Sequence, residues 1–428
     1  MKKTTRTDVE LSYWGLLGHL VDRNVSLYNR KHPEVRLRAT GDAANYLGFL
    51  VDRFTSGSSP PPDVFQTFNE PNAYYLWKGW AGVLEDQVPE AARYAREISN
   101  LQYRKSIMTP DGRVQGVIYY GAHAAFMYNR VHLAGEGPPT EWDEVIALSK
   151  KVKQRGAIDR PIALDFAGPG YLEALYSIML GLNPPQKSYL FDEDLEPLFD
   201  DPRSPLFVTL RWLSDAANRE GVLAKESTKL GAFDTTYAMG QLKHTFSWLP
   251  RYVLPIIDFM SMSRSVSQAL NPGYGYISCY TRVYSPSASA LRGGPKKLDA
   301  LWRVMQYLGG RTDEDLDPDP KGEYRVLKSQ VMDCGVPSPA DGLWRDPEVR
   351  EEMGKWGPLD VLRKQDEKVY NAQCDPWPAP WLQEWVNEWG EAPLKAALHR
   401  VIERETSNGE LLAELHKLAA TWRRLKKE

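Results

Sequence analysis

The first seventy residues alternate strand and helix patterns without a hairpin signal between the strands, and this restricts the fold most. Residues 9–14 (VELSYW) alternate as a strand and run into Gly15. Leu17, Leu20, Val21, Val25 and Tyr28 then recur near helical spacing, up to Lys31-His32-Pro33. Residues 35–39 alternate again, 43–54 read as a second helix, and 63–68 as a third strand after Pro60-Pro61-Pro62. Strands joined through helices pair in parallel, because a parallel crossover needs a connection of a dozen or more residues. Ligands of such sheets gather beyond the carboxyl ends of the strands. Trp14-Gly15, Thr40-Gly41-Asp42 and Asn69-Glu70 stand there, with Tyr46 just inside the second helix. Trp14, Asp42, Tyr46, Asn69 and Glu70 are therefore candidate ligand contacts.

A second αβ region follows the turn Thr109-Pro110-Asp111-Gly112-Arg113. Residues 114–120 read as a strand, broken by Gly121 from the segment 125–129. A helix opens over 138–144, with Thr140 predicted as N-cap and Asp143 at N3. Residues 161–166 (PIALDF) read as a strand ending near Asp165, before the helix 171–182. Residues 183–205 are loop-rich, and helices are predicted over 206–219, 232–240, 394–404 and 410–425. At 428 residues the chain exceeds what one core organises, so two lobes are expected.

Composition removes several functions. With 53 basic against 56 acidic residues and a net charge of −3, no nucleic-acid surface is expected. The basic run 423–427 reads as the dipole-favoured end of a helix. No run of about 18 apolar residues is present to cross a membrane as a helix. The start, residues 1–6, has the charge of a signal peptide but no apolar run after it. Cys279, Cys334 and Cys374 are widely spaced with no CxxC; they read as three buried thiols, with one disulfide the alternative. Asp315, Asp317 and Asp319 imitate the opening of a calcium loop, yet Pro320 stands where glycine is needed. There is no HExxH, P-loop, GxGxxG or G-x-S-x-G, so no metal and no cofactor is expected. Fourteen Trp, 22 Tyr and 12 Phe supply flat rings in number.

Ordered motifs add a resemblance. The opening strand and helix lead to His32-Pro33-Glu34-Val35, and Asp111-Gly112-Arg113-Val114-Gln115-Gly116-Val117 leads to Phe126-Met127-Tyr128-Asn129-Arg130. Pro139-Thr140-Glu141-Trp142-Asp143-Glu144 follows, then Gly231-Ala232-Phe233, Ala238-Met239-Gly240 and Trp248. Residues 298–308 (LDALWRVMQYL) and Gly335-Val336-Pro337-Ser338 complete the series. In this order and spacing the chain resembles the solute-binding proteins of sugar ABC importers, the maltose-binding-protein-like family. That resemblance implies an α/β, two-lobed, type II periplasmic-binding-protein fold with a hinge and a ligand cleft between lobes. It implies lobe boundaries of 1–118 with 283–340, and 119–282 with 341–428. It also implies a monomer at the periplasmic or outer cell surface that partners a carbohydrate and the membrane permease subunits.

The family's site, carried onto matching positions, makes Trp248 the first candidate for stacking on a sugar. Tyr120 and His123 flank the first crossing between lobes, Asp165 ends a strand, and Arg251 and Trp377 are further candidates. Ser247 precedes Trp248 where the family carries glycine. The segment 285–289 (SPSAS) replaces a glycine-rich loop, which points to hydroxyl contacts there. Two other readings compete. Asn69-Glu70-Pro71 resembles the acid/base motif of barrel glycoside hydrolases, although no second strand-end glutamate stands out to partner Glu70. Arg251, Arg282 and Arg292 leave open a non-sugar or anionic solute in the same fold.

Overall fold

The computed structural model describes all residues except 1–5, 16–17, 43–45, 58, 68–71, 97, 99, 157, 169–170, 254–264, 310–323, 336–338, 373–392 and 426–428. The chain divides into two compact units. The first comprises the described residues within Met1–Gly121 and Tyr280–Arg350. The second comprises those within Ala122–Cys279, Glu351–Pro376 and Glu384–Glu428.

In the first unit, β1 (Thr7–Trp14) pairs in parallel with β2 (Val35–Asp42) and with β3 (Val64–Gln66). β3 runs antiparallel to the end of β7 (Ile277–Pro286). The crossovers are α1 (Gly18–Lys31) and α2 (Tyr46–Thr55). α1 buries Leu20, Val21, Asn24 and Tyr28, the inward face of its apolar spacing. Val9 and Leu11 alternate into the core with no exposed surface. Tyr46, Leu50, Phe65, Tyr74 and Tyr75 form an aromatic core cluster, and Trp14, Phe54 and Trp80 pack on it.

Among the described residues the chain passes between units inside two long strands, β4 (Val117–Asn129) and β7, and again within the helix Pro347–Gly354. The break expected at Gly121 is absent: the glycine lies within β4 because a Cβ there would stand 2.9 Å from the Tyr103 ring. In the second unit β4 pairs antiparallel with both β5 (Phe246–Pro250) and β6 (Val266–Ala269). β8 (Val369–Asn371) runs parallel to the start of β7. The segment 161–166, expected as a strand, runs beside β5 but forms only a bridge: Ile162 pairs in parallel with Phe246 and Leu223. Its carbonyl at Ala163 accepts the Ser247 hydroxyl at 2.8 Å.

Two local expectations change. The helix Trp142–Gln154 is capped at Glu141, one residue later than predicted. The long Glu144 side chain reaches back to accept the Thr140 N–H (2.7 Å) and hydroxyl (3.0 Å), placing Thr140 outside the helix. Ser285 and Ser287 are buried, and Ser287 accepts the Ala290 N–H at 3.2 Å as a helix cap, so neither hydroxyl is presented to a solute. Cys279 is buried; Cys374 and the Asp315–Asp319 turn lie outside the described residues. Among the described residues no helix is long and apolar enough to cross a membrane.

Candidate functional site

In the first unit the parallel register sets Trp14 directly beside Asp42 at the carboxyl ends of β1 and β2. One register position earlier, Gly41 leaves room for the Tyr13 ring, from which a Cβ there would lie 2.6 Å. Gln66, at the end of β3, holds the edge together. Its Oε1 accepts the Trp14 N–H at 2.9 Å, and its Nε2 donates to the Tyr284 hydroxyl at 3.2 Å. Trp14 and Asp42 are both partly exposed, so this strand edge keeps an aromatic ring and a carboxylate at the surface.

Tyr46 does not share that exposure. It is 3% exposed, and its hydroxyl donates between the carbonyls of Gln66 (2.8 Å) and Ser12 (3.1 Å), tying two strands together. The candidate contact becomes a structural tie. Tyr120 is likewise buried, edge-on to Tyr119 with the Arg282 guanidinium over its ring. Asn69, Glu70 and Trp377 lie outside the described residues.

The second unit has its own edge. Asp165 ends the extended segment beside β5, where it is 3% exposed and accepts the Gly168 N–H at 3.4 Å, so its carboxyl braces the turn rather than facing a solute. Burial pushes its carboxyl up to about 6, the Gly168 N–H and the Lys395 charge pull it down, and Asp234 pushes it further up. The following turn is pinned from outside: Lys395 donates to the Ala167 carbonyl, and the His399 ring N–H donates to the Phe166 carbonyl at 2.9 Å. The Ala167 N–H donates to Leu230 at 3.0 Å, which brings the start of the helix Ala232–Gly240 against this turn.

Trp248 is not at this edge. It has no exposed surface; Trp142 stacks on it at 5.4 Å and 7°, and Phe126 packs at 4.9 Å. Its indole N–H donates to Asn271 at 2.7 Å. The ring expected to stack on a sugar instead fills the core, because the distant Trp142 supplies an apolar partner that local sequence does not reveal.

His123 and Arg251 come together in a buried polar knot. Gln268 Nε2 donates to His123 Nε2 at 3.1 Å, which leaves the ring proton on Nδ1, 3.5 Å from Asp366 Oδ1. Arg251 Nη1 lies 3.9 Å from the same oxygen. Burial, with the Arg251 charge adding to it, holds His123 well below the usual histidine range. Burial pushes Asp366 up to about 6, against the pull of Arg251. His123 and Arg251 are 0% and 1% exposed, so the knot serves the fold rather than a solute, and Arg251 offers no open anion site. Arg282, at 4% exposed, offers none either. Gln66, Gln268, Asn271 and Asp366 escaped the sequence reading. Asp366 sits in Lys364-Gln365-Asp366-Glu367-Lys368, a charge run with the look of a solvated helix face, and Asn271-Pro272-Gly273 reads only as a turn. Among the described residues no group of His, Cys, Asp and Glu is placed to hold a metal ion.

No protein-family model and no curated protein matches the chain. Solved structures do. Maltose-bound MalE3 of T. maritima is similar with a TM-score of 0.73 at 15% identity, covering 97% of this chain and 99% of that one. The sugar-binding protein MalE of Xanthomonas citri gives 0.73 at 17% identity, covering 99% and 100%. A ribitol complex of an ABC transporter solute-binding protein from Agrobacterium radiobacter K84 gives 0.73 at 15%, covering 98% of each chain. The chain therefore has the two-lobed α/β fold of type II periplasmic binding proteins over essentially its whole length.

Proposed function

We propose that the chain is an extracytoplasmic solute-binding protein that captures a carbohydrate between its two lobes and delivers it to the permease of an ABC importer. The observation that carries this reading is the end-to-end likeness to binding proteins whose structures hold maltose and ribitol, with coverage near complete in both directions. One strand edge supports it chemically. Trp14 beside Asp42 combines apolar area with a carboxylate acceptor, as a ring of hydroxyls on an apolar face requires. On this reading the lobes correspond to the two compact units, which part within β4, β7 and the helix Pro347–Gly354. The protein acts without turnover, as a monomer outside the cytoplasmic membrane.

A thermal-shift screen of the intact chain against mono- and oligosaccharides, polyols, polyamines and phosphate esters tests this. A cognate sugar at 100 times its Kd adds about 2.7 kcal/mol of stability and raises Tm. A shift produced only by an amine or a phosphate ester would refute the carbohydrate assignment. Cleavage products from a bound oligosaccharide would transfer the chain to the glycoside hydrolases, with Glu70 as the first residue to test.

A further inference from the structure

A cavity inside the first unit shares Gln66 with the strand edge that carries Trp14. It holds about 10 Å³ of room for a water molecule's centre, and its polar lining is Asn24, Gln66, Tyr119, Tyr284 and Gln330. Aliphatic side chains from α1 and from the helices Pro295–Gly309 and Arg325–Cys334 close it. None of the polar residues is more than 5% exposed, so the cavity belongs to the interior.

Two of these groups have hydrogen-bonding capacity to spare. The Tyr284 hydroxyl accepts from Gln66 Nε2 at 3.2 Å, and its own proton meets no acceptor among the described residues. Gln66 Oε1 is already engaged by the Trp14 N–H at 2.9 Å. Gln330 Oε1 is buried and meets no donor among the described residues. Buried polar groups of folded proteins are satisfied by protein or by ordered water.

We infer that this cavity binds one water molecule, which accepts the Tyr284 proton and donates to Gln330 Oε1. The room suits a single water and nothing larger. The described lining carries no charged side chain, so neither a metal ion nor an anion has a charged partner there. Amide and hydroxyl groups around one small space meet the need of a buried water for about two to four polar contacts. Gln66 is bonded to Tyr284 on one side and to the Trp14 N–H on the other. The water thereby ties the helix Arg325–Cys334 to the Trp14 edge, whichever solute the chain captures.

The test is a high-resolution crystal structure of the full chain, with water-oxygen relaxation dispersion to count slowly exchanging internal waters in solution, for the parent and Gln330→Met. Methionine keeps the length of glutamine and removes its amide. In the parent, a water lies about 2.7–3.2 Å from both Tyr284 Oη and the Gln330 amide. Gln330→Met has one slowly exchanging water fewer, and its Trp14 N–H exchanges with deuterium roughly tenfold faster, the effect of about one lost hydrogen bond. A parent cavity without a water, or a Gln330 amide oxygen turned onto a protein donor, overturns the site and leaves the carbohydrate reading standing. The parent structure decides this even if the variant is unstable. A water that persists in Gln330→Met removes Gln330 from the site, and unchanged Trp14 exchange overturns the tie to the strand edge.

Discussion

Trp248 is held by three partners, the stacked ring of Trp142, the tilted ring of Phe126 and the Asn271 carbonyl oxygen at 2.7 Å. Truncation to alanine removes a fully buried indole and is expected to cost about 3–5 kcal/mol. Urea unfolding checks this, and a Trp248→Ala protein that kept parental stability but lost its sugar would return the residue to the ligand. Asp165 makes the opposite trade. Its folded-state carboxyl, at about 6 against 3.8 in the unfolded chain, binds its proton more tightly when folded. Burial of the charge therefore opposes folding by about 3 kcal/mol above pH 6, a penalty that fades as pH falls and is gone below 3.8. Asp165→Asn should accordingly raise stability at pH 8 and leave it unchanged at pH 3.5. Equal stabilisation at the two pH values would show that charge burial is not the cause.

At the scale of elements, Asn271 links four pieces of the second unit. Its side chain accepts from Trp248 of β5 and donates to the Ser177 and Tyr276 carbonyls, both at 2.6 Å. Its own N–H donates to Gln365 of the helix Leu359–Glu367 at 3.0 Å. Asn271→Ala orphans the Trp248 indole N–H and two carbonyls in the interior, so a loss of about 2–4 kcal/mol in denaturant unfolding is expected. A loss below about 0.5 kcal/mol would mean that neighbouring groups replace these bonds. The β1–α1–β2–α2–β3 order was legible because crossover helices and inward strand residues imprint their own periods on the sequence. The continuity of β4 was not, since Gly121 reads as a breaker until the Tyr103 ring is seen beside it. Strand-end positions were likewise legible, but the direction of a side chain there was not: Trp14 stays partly exposed while Trp248 is enclosed by a residue more than a hundred positions away.

For the whole molecule, a net charge of −3 argues against a polyanion-binding surface, and the chain passes between its two αβ units in β4, in β7 and in the helix Pro347–Gly354. The fold follows from the likeness to known binding proteins, and the ligand class is the claim that rests on it. Titration calorimetry of the purified chain against single sugars, followed by chromatography of the same mixture, measures that claim most directly. The account predicts one sugar bound per chain, with its concentration and identity unchanged after incubation. Stoichiometric binding of an amine or phosphate ester in place of any sugar, or conversion of the sugar to shorter products, would contradict it.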